Sequence, residues 1–193
     1  RAVAMPLSTL PELMQALAAC RLLSPEQIQA VQAGGGTTPG QVLQNLVQQG
    51  WLTRWQAERL LAGQSGFYFG KYLLLDQLGA GGMGTVFRAR QTGMDRIVAL
   101  KVMSRKLIRD VQSLARFQRE VEAAAALAHP NIVLALDADS RQGVPYLVME
   151  FVAGKNLTRV IREDGTMPLE LALDTIAQTA RGLEYAHRLG IVH

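Results

Sequence analysis

Residues 72–103, YLLLDQLGAGGMGTVFRARQTGMDRIVALKVM, constrain the fold more than any other stretch of the chain. Four glycines fall within GAGGMG at 79–84. Each loses more backbone freedom on ordering than any other residue type, so the neighbours must explain why they are there. Residues 72–78 read as an apolar strand entering the glycines. After Gly84 come Thr85, Val86, Phe87, Arg88, Ala89 and Arg90; Val86 and Phe87 favour a second strand, and no helix N-cap signal is present. A turn at QTGMD leads into a third apolar strand at 97–103. A dinucleotide-binding G-x-G-x-x-G needs a helix directly after its last glycine, so that the helix N-terminus meets the pyrophosphate. Three consecutive antiparallel strands argue against that unit. They favour a glycine-rich hairpin whose backbone can approach phosphates without a Cβ clash.

The next segments supply chemistry at regular spacing. Lys101 stands in an otherwise apolar strand. Alone it reads as an edge-strand charge that discourages aggregation; after the glycine loop it reads as a phosphate-binding lysine. Strong helix formers run over 111–128 and stop before His129–Pro130. Glu120 shares a helical face with Phe117, Ala124 and Leu127, whereas Glu122 points elsewhere and reads as solvated. Two more strands, near 133–139 and 144–151, flank a turn at SRQG. Two further helices follow in NLTRVIREDG and PLELALDTIAQTARGLEYAHRLG. His129 falls in a turn, and His187 reads as a packing or surface residue.

Gly79, Gly81, Gly84 and Val86, followed by VALK at 98–101, resemble the protein kinases, specifically the bacterial Ser/Thr kinases of eukaryotic type. The resemblance covers about residues 70–193. It implies that the loop Gly79, Ala80, Gly81, Gly82, Met83 and Gly84 covers ATP phosphates. It implies that Lys101 contacts the α- and β-phosphates and pairs with Glu120. Met149 would be the gatekeeper, and Glu150 to Val152 the hinge whose backbone bonds adenine. Leu78, Val86 and Ala99 would wall the adenine, although as plain core residues they would look the same. His193 matches the histidine of an H-R-D loop. The catalytic aspartate, the magnesium-binding residues and the activation segment are then expected after it, and the chain by itself is expected to be inactive.

Residues 1–66 are of another kind. They contain no Lys and no Asp, and apolar residues recur at helical spacing. LAACRLLSPEQIQAV (17–31) aligns with LVQQGWLTRWQAERL (46–60), placing Leu23, Ser24 and Gln27 over Leu52, Thr53 and Gln56. In both copies Ser or Thr followed by Gln three residues on reads as a capping box, and Pro25 suits a first helical position. The reading is two helical hairpins in one small bundle. Trp51 and Trp55 would share a face if their helix reached that far, with packing as the simpler role. The composition shift at GQSGFYFG sets an expected boundary after residue 66.

The whole is expected to be α+β. A helical module at 1–66 precedes an incomplete kinase-like domain at 67–193. Residues 67–153 would form the N-lobe, a five-stranded antiparallel sheet with one helix, and 154–193 the first C-lobe helices. The chain has 193 residues and begins with Arg1 rather than Met, and both ends read as cut. Its net charge of +4 is spread along the sequence, so nucleic-acid binding is not indicated. A single cysteine, Cys20, excludes a disulfide framework and reads as core. No apolar run reaches the length of a membrane helix, and cytoplasmic localisation is the default, with an anchor further along the chain left open. Expected cofactors are ATP and Mg2+, with no metal ligands within the chain. Expected partners are protein substrates and a possible protein partner of the helical module. The expected activity of the full-length protein is transfer of the γ-phosphoryl group to Ser/Thr hydroxyls. The alternative is a pseudokinase-type nucleotide-binding or scaffolding module.

Overall fold

The computed structural model describes residues 5–192, so His193 lies outside the described residues. Four short helices come first: α1 (Leu10–Cys20), α2 (Pro25–Ala33), α3 (Pro39–Gln48) and α4 (Arg54–Leu61). Each starts because a hydroxyl residue takes one of the N–H groups that a helix start leaves unpaired. Thr9, Ser24 and Thr53 form full capping boxes with Glu12, Gln27 and Gln56, and Thr38 accepts from the Gln41 N–H. The N-caps of α1 and α3, and of α2 and α4, are each 29 residues apart (38 − 9 and 53 − 24). The repeat therefore extends over both hairpins, beyond the segment where the sequence displays it. Buried residues follow the same offset: Leu13 with Val42, Leu17 with Leu46, and Leu23 with Leu52. Cys20 belongs to this core, and burial pushes its thiol pKa up, as suits an unreactive packing residue.

Trp51 does not share a helical face with Trp55. It sits in the turn before Thr53 caps α4, and both tryptophans pack against the bundle core.

The strands are β1 (Tyr68–Phe69), β2 (Tyr72–Gly81), β3 (Gly84–Gln91), β4 (Arg96–Met103), β5 (Ala135–Arg141) and β6 (Val144–Glu150). They form one six-stranded sheet in the order β1-β2-β3-β4-β6-β5, one strand more than expected. The addition is β1, which pairs Tyr68 with Leu73 and Phe69 with Tyr72. Phe67 and Leu73 join the core of α1–α4, so the stretch where composition shifts is packed rather than a free linker.

Helix α5 (Val111–Ala126) is N-capped by Asp110. The Ser113 hydroxyl, and then its amide, donate to that carboxylate and hold its pKa below the ordinary value. Leu127 is already extended, so it lies past the helix and not on the Glu120 face. Phe117 is buried with Met103 and Leu147, and Leu114, Val121 and Ala124 pack around them. Helices α6 (Leu157–Asp164) and α7 (Leu169–Arg188) follow. They leave Ile161, Leu169, Leu173 and Ile176 exposed. The chain divides into two compact units. One holds α1–α4 and the strands up to Gly79, with Phe87–Arg96; the other holds Ala80–Val86 and everything from Ile97 onward.

Candidate functional site

Strand β2 runs on through Gly81 and β3 resumes at Gly84, so only Gly82 and Met83 form the turn. The tip is tied down by the Ser104 N–H, which donates to the Met83 carbonyl at 3.0 Å. Gly84 has a reason inside the protein. A Cβ there would lie 2.2 Å from the Val102 carbonyl oxygen and 3.1 Å from the Met103 Cα, both backbone atoms of β4. Gly84→Ala is therefore expected to destabilise the protein by about 1–3 kcal/mol, as overpacking does. Gly82→Ala should be near neutral, because a Cβ at Gly82 meets nothing within 4 Å. Thermal unfolding of the two variants checks the contrast.

Gly79, Gly81 and Gly82 have no such internal reason. None adopts the left-handed φ that favours glycine, and a Cβ on any of them would enter open space. Their lack of side chains leaves room beside the loop.

Lys101 follows Leu100 on β4, opposite Leu147 of β6, and is held at 18% side-chain exposure. Its ammonium donates to Glu120 Oε1 in a short ion pair. Phe117 anchors α5 one turn before Glu120, which sets the carboxylate facing β4. Glu122 is exposed. Ala99 is buried opposite Met149, and Met149 packs against the Phe117 cluster.

Glu150 is engaged on both sides. Its N–H donates to the Leu134 carbonyl at 3.0 Å, and its carboxylate accepts from the Leu134 N–H at 2.8 Å. The Glu150 N–H is thus committed within the protein. Val152 and Leu78 are exposed, and Val86 is half-buried. Sequence reasoning missed the Glu150–Leu134 exchange, for which no local signal exists. His129 accepts from the Asn131 N–H and stacks on Tyr185 at 5.2 Å, a structural use. Among the described residues no three His, Cys, Asp or Glu side chains gather as a metal site. No described helix is long and apolar enough to cross a membrane.

The family model described as the protein kinase domain matches residues 72–193. The serine/threonine-protein kinase PknB of Mycobacterium leprae is 42% identical over 127 residues, covering 64% of this chain and 20% of its own length. The serine/threonine-protein kinase PksC of Streptomyces coelicolor is 41% identical over 145 residues, covering 71% and 25%. The crystal structure of the PknI kinase domain of Mycobacterium tuberculosis matches with a TM-score of 0.56 at 34% identity, over 67% of this chain and 52% of that one. The chain spans about a fifth to a quarter of the length of these curated relatives.

Proposed function

The chain belongs to the protein kinase domain family, and on that premise we propose that it supplies the nucleotide-binding front of a serine/threonine protein kinase. Protein kinases generally use ATP and Mg2+ and act on protein substrates. The observation that carries the reading is the pairing of two features. Three glycines are left without an internal reason, and a lysine is held by a glutamate on an apolar strand.

In this reading the backbone of Gly79 to Gly84 covers the triphosphate. The Lys101 ammonium neutralises phosphate charge, and Glu120 fixes its position so that little reorganisation is left for the reaction. Ala99, Leu78 and Val86 flank the adenine, Met149 bounds the pocket, and the Glu150 carbonyl and the Val152 backbone bond the base. ATP supplies the γ-phosphoryl group, and this chain's part is to orient it. The aspartate that would take the hydroxyl proton is expected after His193. Among the described residues no cluster of His, Cys, Asp or Glu is gathered that would hold magnesium. The exposed apolar residues of α6 and α7 are in keeping with further kinase-domain chain packing on them. ATP-dependent transfer would place this part of the protein in the cytoplasm.

Titration of Mg-ATP into the full-length protein tests the reading. Saturable one-to-one binding, displaced by adenosine, is expected. A folded protein with no saturable binding would refute it.

A further inference from the structure

A cleft of about 320 Å³ lies between the segment before β5, the end of β6 and helix α7. All the described residues that line it belong to one compact unit. Its walls are tied together from within that unit. The Asn131 side-chain amide donates to Gln178 at 2.9 Å, and the Gln178 amide donates to Asp174 at 2.7 Å. A Cβ on Gly182 would lie 3.2 Å from the Asn131 carbonyl oxygen and 3.3 Å from the Ile132 side chain, so α7 sits close against this segment. The stack of His129 on Tyr185 adds a further tie. The cleft is therefore formed before any ligand arrives, which cuts the ordering cost of binding.

The chemistry of the cleft is one-sided. Among the described residues that line it there is no Lys, Arg or His, and Glu150 is the one that carries a charge. Glu150 Oε1 accepts from the Leu134 N–H at 2.8 Å, and Oε2 accepts from no described residue. The Thr175 and Thr179 hydroxyls donate to the carbonyls of Leu171 and Thr175, at 2.7 and 2.8 Å. Each hydroxyl has one proton, so these two oxygens offer only lone pairs to a ligand. Ile132, Val133 and Val152 supply apolar surface beside them.

An anion would be repelled by such a lining. A neutral donor would make bonds about half as strong as a charged one. A guanidinium brings charge together with a planar fork of N–H groups, enough to reach a carboxylate and a hydroxyl oxygen at once. A short aliphatic stem on it can lie along the apolar wall.

We propose that this cleft binds an alkyl guanidinium group, with Glu150 as its counter-ion. The binding needs no nucleotide and stands apart from the kinase reading. Taken with that reading, an occupant would bear on the residues proposed to bond adenine.

Ligand-observed NMR titration of the nucleotide-free, full-length protein with n-butylguanidinium tests it. Saturable binding is expected, with a dissociation constant on the order of 1 mM for one charged contact and a short stem. The neutral isostere n-butylurea should bind at least about tenfold more weakly. Glu150→Gln keeps an oxygen for the Leu134 N–H and loses the charge, and it should weaken n-butylguanidinium binding by a similar factor. Thr179→Leu, at an exposed helical position, removes an acceptor and crowds the cleft, and should do the same without touching Glu150. Glu122→Gln, an exposed acid on α5, should leave binding unchanged. An arginine residue blocked at both ends distinguishes the source of the group. Binding as tight as that of n-butylguanidinium would point to an arginine side chain, and weaker binding to a free small guanidine. No saturable binding to the folded wild-type protein, or equal binding by wild type and both cleft variants, would overturn the proposal.

Discussion

Replacing Lys101 by methionine in the full-length protein is expected to abolish phosphoryl transfer while leaving the unfolding midpoint within about 3 °C of wild type. Methionine matches the lysine stem in length, so the packing beside Leu100 and opposite Leu147 is kept. What is lost is the only charge on β4 between Arg96 and Met103. Glu120 is left without its partner, but at 38% side-chain exposure it can be hydrated, so the fold loses little. On the proposed reading the transition state fares worse, because a fixed cation beside developing phosphate charge is worth at least about a hundredfold in rate. Lys106→Met, at an exposed position, is the control. A Lys101→Met protein with undiminished transfer would remove the lysine from the account.

Phe117→Ala is expected to show the opposite pattern, a large loss of stability. Phe117 is 2% exposed and is the one buried residue of α5. Removing a core phenylalanine costs about 3–5 kcal/mol, through lost transfer free energy and the cavity left behind. Its cluster with Met103 and Leu147 also holds the helix that presents Glu120 to Lys101. Transfer should therefore fall at temperatures where the protein is still folded, because the helix loses its seat before the domain unfolds. Glu122→Gln, on the exposed side of the same helix, should change neither property. Denaturant unfolding and transfer rates measured side by side separate these variants. A Phe117→Ala protein as stable as wild type would show that α5 is not seated by this contact.

Much of this was legible because local rules and tertiary structure agree. The residues after Gly84 favour a strand, and that alone redirects the glycine motif from a strand–helix unit to a hairpin. The capping residues at 24 and 53 mark helix starts without help from packing. That Glu120 rather than Glu122 faces the sheet follows from helical periodicity around Phe117. What these groups bind is not a matter of periodicity and came from the family.

Other features were hidden for physical reasons. The two-residue strand β1 is too short to show alternation, and it exists because Phe67 and Leu73 pack on the helices. Its neighbourhood reads as a domain boundary by its glycines and serine. Gln56 looks like a capping residue and nothing more, because its bond to Leu74 reaches across 18 positions of sequence. The only local trace is the change from Glu26 to Trp55 between repeats. The Glu150–Leu134 exchange likewise spans 16 positions and leaves no pattern in either segment.

The most direct measurement is phosphoamino-acid analysis after the full-length protein is incubated with γ-labelled ATP, magnesium and a protein substrate. The account predicts label on serine and threonine, absent in the Lys101→Met protein. A folded protein that binds ATP yet leaves every protein hydroxyl unlabelled would contradict it, and would make this chain part of a nucleotide-binding module without transfer activity.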